Sequence, residues 1–184
     1  MKKLILLLSL ILATASSASA FDFKYKGYGE LNGGAFFANQ YYGSGGLFGI
    51  STSHGLVLMD GLFVGAGIDL NYITFSEPGY YSYERDYDYG ATFAVFAEGR
   101  YNFIHKRKVN PFVGLRIGGG YEGVQETGSF YFSPAVGVSI NLTEKFGLDA
   151  SLAYSLWTSS YDSDDPGKSA NAFNGISVRV GVHF

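Results

Sequence analysis

Apolar side chains fall on alternate positions through segment after segment of this chain, from residue 23 to its last residue. The plainest case is the closing stretch, NGISVRVGVHF. There Ile176, Val178, Val180 and Val182 alternate with Ser177, Arg179, Gly181 and His183 before Phe184. A side-chain period of two puts the two sets on opposite faces of a sheet. Eight segments behave this way: 23–37, 46–58, 62–75, 91–103, 110–121, 129–142, 146–158 and 172–184. They predict eight strands, and none carries a 3.6-residue period. Most exceed the about 9–11 residues that a tilted membrane-crossing strand needs.

The connections alternate in length. NQYYGSGG, SEPGYYSYERDYDYG and SSYDSDDPGKSAN are long and polar, and EGVQETG is a shorter one on the same side. On the other side MDG and TEK are tight, and IHKRKV is longer and basic. Short turns on one side and long loops on the other is the pattern of an outer-membrane barrel. The expected fold is therefore all-β, an eight-stranded antiparallel up-and-down transmembrane β-barrel. With an even strand count both mature termini fall on the short-turn side, expected to be the periplasm.

The charged residues sharpen this picture. Glu30, Asp69, Glu98, Arg100, Arg116, Asp149 and Arg179 all lie within strands, and every one shares parity with the Gly, Ser and Asn positions. Parity alone fits either a soluble sandwich or a barrel in lipid, because both have one apolar face. Three features favour lipid outside: apolar faces continuous over all eight segments, a small and polar opposite face suited to a narrow lumen, and Tyr and Phe gathered near strand ends, such as Tyr101, Phe103 and Phe184. Two places fit less well. Thr52 and His54 share the apolar face of the second segment, and Pro134 interrupts the sixth, where a bulge or a rim position is expected.

The start of the chain has a different pattern. Lys2 and Lys3, an apolar run from Leu4 to Ala13, and Ala18-Ser19-Ala20 read as a secretory signal peptide over 1–20, with the barrel in 21–184. The net charge of −3 falls to −5 without the two lysines, which argues against nucleic-acid binding. There is no cysteine, which excludes a disulfide scaffold, a thiolate zinc site, a cysteine nucleophile and a lipidated N-terminal cysteine. Glycine, 26 of 184 residues, is about twice the roughly 7% average and suits strongly curved strands.

The stretches GISTSHG with LFVGAGIDLNY, FAEGRYNF leading to NPFVGLRIGGGY, FYFSPAVGVSINLTEKFGLDASLAY and NGISVRVGVHF cover nearly all of 21–184. Together they resemble small outer-membrane β-barrels of the OmpA/OmpX-like class, in the form of the Bacteroidetes-type outer membrane protein beta-barrel domain family. The resemblance implies residence in a Gram-negative outer membrane among lipids and lipopolysaccharide. It also implies that Phe184, with Val182 and Val180, is an assembly signal for the barrel-assembly machinery. No domain is expected beyond Phe184 to anchor the chain to the cell wall.

Candidate chemistry is sparse. Four acids facing three arginines inside a narrow barrel suggest a structural network of ion pairs, against an ion path or an acid/base site. In the network reading, Arg179 meets acids from other strands. Lipid-A-modifying barrels resemble this one in size and use a His with a Ser and an acid. Here Ser53 and His54 are adjacent and point to opposite faces, and the long loops hold no histidine; His105 and His183 fall at the short-turn end. Asp162, Asp164 and Asp165 lack the remainder of a calcium loop. No catalytic residue, cofactor or metal is expected. Tyrosine and acids in loops 38–45, 76–90 and 159–171 suit contact with an extracellular ligand or with lipopolysaccharide. The leading expectation is a non-catalytic barrel serving envelope integrity or surface interaction. The alternatives are a small-solute pore and, behind it, a lipid-A-modifying enzyme.

Overall fold

The computed structural model describes residues 24–37, 44–58, 61–76, 87–104, 107–122, 127–159 and 171–184. The expected signal peptide, His105, the three loop aspartates and most of the three long loops lie outside these residues. Alternation produces eight strands: β1 (Lys24–Phe36), β2 (Gly45–Leu58), β3 (Leu62–Ser76), β4 (Tyr87–Asn102), β5 (Val109–Glu122), β6 (Thr127–Asn141), β7 (Gly147–Ser159) and β8 (Asn171–His183). Each pairs antiparallel with its neighbours in sequence, and β8 pairs back onto β1 from Tyr28↔His183 to Phe36↔Gly175. The sheet is a closed barrel with no free edge, so every strand's backbone groups have neighbours on both sides. The seam is extended by one residue: the Gly27 amide donates to the Phe184 carbonyl at 2.8 Å and the Phe184 amide to the Gly27 carbonyl at 3.0 Å.

Burial is inverted relative to a soluble protein. Glu30, Asp69, Glu98, Arg100, Arg116, Asp149 and Arg179 are all buried in the lumen, while Leu31, Ile50, Val95, Val136, Leu152, Val178 and Val180 are among many large apolar residues left exposed on the outside. A soluble sandwich would place these two sets the other way round. The apolar outer surface and the closed hydrogen-bond ladder are the two requirements for crossing a membrane by strands.

The strands reach further at the long-loop end than alternation alone suggests. β4 begins at Tyr87, where Ser76 pairs with it, so part of the tyrosine-rich stretch is strand rather than loop. The connection at that point is 77–86, and the others at that end are 37–44, 123–126 and 160–170. Paired backbone extends a strand irrespective of side-chain pattern, which explains why period-two counting stopped short.

Pro134 is resolved differently from expectation. It lies mid-strand, opposite Leu115 of β5, and the β6–β7 register is the same on both sides of it, from Phe132↔Leu156 to Ala135↔Ala153. There is no bulge and no rim position. The ladder simply lacks pairs at 133 and 134, and the neighbouring side chain compensates. Ser133 Oγ donates to the carbonyl of Tyr154, the residue opposite Pro134, at 2.8 Å, supplying a donor that proline lacks. The same oxygen accepts from Arg179 Nη2 at 2.6 Å and contacts Ser155 Oγ at 3.1 Å. Ser133→Ala therefore removes the donor to the Tyr154 carbonyl and leaves Arg179 Nη2 with Tyr131 OH alone. It should cost about 1–3 kcal/mol, read as a lower unfolding temperature in detergent, while Ser155→Ala costs less.

Candidate functional site

The lumen is organised around two arginines from adjacent strands. Arg100 of β4 donates from Nη2 to Glu30 Oε1 at 2.6 Å and to Glu98 Oε1 at 2.9 Å, and its Nη1 lies 3.5 Å from Asp149 Oδ1. Arg116 of β5 donates from Nη2 to Glu30 Oε2 at 2.5 Å, and its Nε lies 3.3 Å from Glu98 Oε2. Arg116 also donates to Ser51 Oγ at 3.2 Å. Each carboxylate of Glu30 and Glu98 thus bridges both guanidinium groups. Glu98 and Arg116 face each other directly in the β4–β5 register. Glu98 and Arg100 are two residues apart on one strand, so they share a face by parity. Arg100 lies between two rings, with its guanidinium carbon 3.9 Å from the centroid of Tyr28 and 4.4 Å from that of Phe112. A cation over an aromatic face is attracted by the ring's negative face.

Toward the short-turn end Asp149 is held by Ser139 Oγ and by His183 Nδ1, the latter at 2.7 Å. The other ring nitrogen of His183 lies 3.2 Å from Asn141 Oδ1. Lys26 points into the same end, with Nζ 5.2 Å from the Tyr28 ring.

Toward the long-loop end the expected pairing of Arg179 with acids is not what forms. Arg179 Nη2 donates to Ser133 Oγ and, at 3.1 Å, to Tyr131 OH. Tyr131 OH in turn donates to Asp69 Oδ2 at 3.0 Å, and Asn32 Nδ2 donates to Asp69 Oδ1 at 2.9 Å. Among the described residues no carboxylate lies within ion-pair distance of Arg179, and no cation within that distance of Asp69. A tyrosine hydroxyl, donor and acceptor at once, relays between the two charges. All seven charged residues are thus in the lumen, five in one ion-paired cluster and two joined through Tyr131.

An apolar layer above these charges was missed in the sequence. Phe36, Ile73, Ala94, Phe96, Tyr131 and Trp157 pack together in the long-loop half of the lumen, with Leu47 against them. Trp157 and Tyr131 meet at 4.7 Å between centroids. All have inward parity, and all but Ala94 depart from the small and polar rule for that face. Glycine makes the room: a Cβ at Gly67 would lie 2.6 Å from Phe96 Cζ, and one at Gly175 would lie 2.9 Å from Phe36 Cδ1. Inward glycines beside inward aromatics on the next strand are the signal that could have revealed the layer.

On the outer face Thr52 and His54 do share the lipid-side parity, as expected. His54 Nδ1 lies 2.6 Å from Tyr25 OH and its Nε2 3.0 Å from Thr52 Oγ1. Thr52 Oγ1 also donates to the Tyr28 carbonyl at 3.0 Å. Both ring nitrogens are occupied by local partners. Ser53, fully buried, points to the lumen, so the adjacent pair is divided by the wall.

This architecture is shared with known structures. Neisserial surface protein A (NspA) is 18% identical, with 88% of this chain and 95% of that one covered and a TM-score of 0.52. The fold is that of a small outer-membrane barrel. Looser likenesses are the outer membrane protein OprG from Pseudomonas aeruginosa (10% identity, 88% and 93% covered, TM-score 0.49) and the N-terminal β-barrel domain of Pseudomonas aeruginosa OprF (16%, 86% and 97%, 0.45). No protein-family model and no curated protein matches the chain.

Proposed function

We propose that this protein is a non-catalytic integral barrel of a Gram-negative outer membrane that holds its long loops at the cell surface for envelope integrity or surface interaction. The observation that carries this reading is the filled lumen. A cluster of five ion-paired residues is stacked beneath an apolar layer, and Glu30, Glu98, Arg100, Arg116 and Trp157 are each at most 5% exposed. An interior this narrow is just wide enough to be filled by side chains. With the interior occupied, a ligand would be met outside the lumen, by the connections at the long-loop end. The likeness in fold to a neisserial surface protein supports the same reading.

Short turns and both mature chain termini then face the periplasm, residues 1–20 direct export, and Phe184 with Val182 and Val180 contacts the assembly machinery. Lipopolysaccharide is the expected neighbour of the long loops.

In planar bilayers the purified barrel should give no stable single channels. Trp157→Ala with Phe36→Ala should not open one, because the ionic cluster remains below. Stable channels whose conductance changes on reversing Glu30 and Arg100 would replace this reading with the small-solute pore. Lipid A from cells with and without the protein should have one mass spectrum, and a new acylation state would bring in the lipid-modifying enzyme.

A further inference from the structure

The rim at the short-turn end is basic and interleaved with apolar residues. Lys24 opens β1, Arg107 and Lys108 lie in the turn before β5, and Lys145 lies in the turn before β7. All four are exposed, and in the sequence the short turns at this rim carry two acids, Asp60 and Glu144. None of the four forms an ion pair with a described carboxylate.

The backbone that carries Arg107, Lys108 and Lys145 is held by hydrogen bonds. The Asn141 amide donates to the Lys108 carbonyl at 2.8 Å, and Asn141 Nδ2 donates to the Arg107 carbonyl at 3.2 Å. Asn141 therefore ties the two basic turns to each other. Thr143 Oγ1 accepts from the amides of Lys145 and Phe146 at 3.3 and 3.0 Å.

Directly beside the bases are exposed apolar side chains. Tyr25 follows Lys24, Ile104 and Val109 flank Arg107 and Lys108, and Leu142 and Phe146 flank Lys145. In a membrane-spanning barrel, exposed aromatic and aliphatic residues at a strand end sit at the headgroup boundary. These four cations are therefore placed at headgroup depth around the rim. The connections at the opposite end are acidic in sequence, with Glu84, Asp86, Asp162, Asp164 and Asp165.

We propose that this rim binds the phosphates of anionic phospholipids in the leaflet at the short-turn end, and so selects a shell of anionic lipid around the barrel. The proposal rests on the membrane reading above. Its occupant is set by charge complementarity and by the apolar residues between the bases, which a soluble polyanion would leave exposed to water.

The test uses the full mature chain in nanodiscs of equal phosphatidylglycerol and phosphatidylcholine, with retained lipids counted by native mass spectrometry. The wild type should retain phosphatidylglycerol over phosphatidylcholine by about threefold, and added salt should lower the ratio. Lys24→Gln with Arg107→Gln, Lys108→Gln and Lys145→Gln should bring the ratio to about one. Should that variant not fold, Arg107→Gln with Lys108→Gln gives an intermediate ratio. A wild-type ratio of one, or a ratio unchanged in the variants, overturns the proposal. Sedimentation with peptidoglycan sacculi that depends on the same four residues, without lipid selection, also overturns it and assigns the rim to a polymer. Failure of the membrane reading shows separately, as failure to insert into nanodiscs of phosphatidylcholine alone.

Discussion

Arg100→Ala should lower the unfolding temperature of the barrel in detergent by about 10 °C, the largest effect of any single change in the lumen. Arg100 meets three carboxylates, and its guanidinium fills the space between the Tyr28 and Phe112 rings. Removing one member of a buried ion-paired set costs about 3–5 kcal/mol, because the remaining charges stay buried without it. A chain of this size loses about 2–4 °C per kcal/mol. Arg179→Ala should shift the transition less, since Arg179 donates to neutral oxygens, Tyr131 OH and Ser133 Oγ. Changing Glu30, Glu98, Arg100 and Arg116 together to methionine should recover part of the loss, since a buried ionic set is often replaceable by apolar packing. The heat-modified mobility shift on gels reads all three. An unchanged transition in Arg100→Ala, or equal shifts for Arg100 and Arg179, would sink the account of the cluster given above.

Deleting Phe184 should impair barrel formation more than deleting any one long loop. Two main-chain hydrogen bonds to Gly27 are lost at the seam, together with the contact of the Phe184 ring against His54. At about 1 kcal/mol for each hydrogen bond plus the ring contact, the loss is about 2–4 kcal/mol. Gly27→Val separates stability from recognition. A Cβ at Gly27 would lie 2.7 Å from Phe184 Cε2, so the valine displaces the ring while leaving the last residue in place. If Phe184 is read as a signal during assembly, Gly27→Val reaches the membrane in near-normal amount but unfolds at lower temperature, whereas the deletion fails to reach it. Equal membrane yields for wild type and deletion would refute the signal. Equal loss in both variants would make Phe184 a seam residue only.

The wall of the barrel was legible because lipid imposes a simple rule on it. Outward positions are apolar with few exceptions, Thr52 and His54 among them, so parity assigned the faces strand by strand. The seven inward charges followed from the same rule. The partners of those charges were not legible, since they depend on which strands face each other across the lumen. Arg179 and Asp69 are joined by Tyr131, a residue that parity placed inward but whose hydroxyl no spacing could aim. The apolar layer was hidden for a related reason: Phe36, Phe96 and Trp157 break the polar pattern of the inner face, and it is glycines on adjacent strands that make room for Phe36 and Phe96. Pro134 suggested a broken strand because its missing amide is visible in the sequence, whereas the hydroxyl of Ser133 that compensates is ordinary until its geometry is known.

The ionic cluster also bears on how the strands find their register. A slip of one residue between neighbours turns every side chain to the other face, and lipid rejects it by placing Glu30 or Arg100 in hydrocarbon. A slip of two keeps every apolar residue outside, so lipid cannot detect it. The cluster can. Moving β4 by two residues against β5 separates Glu98 from Arg116, which face each other in the correct register. It also displaces Arg100 from Glu30 across the lumen. Lipid and lumen thus check complementary errors, the odd and the even, at the strands that carry the cluster.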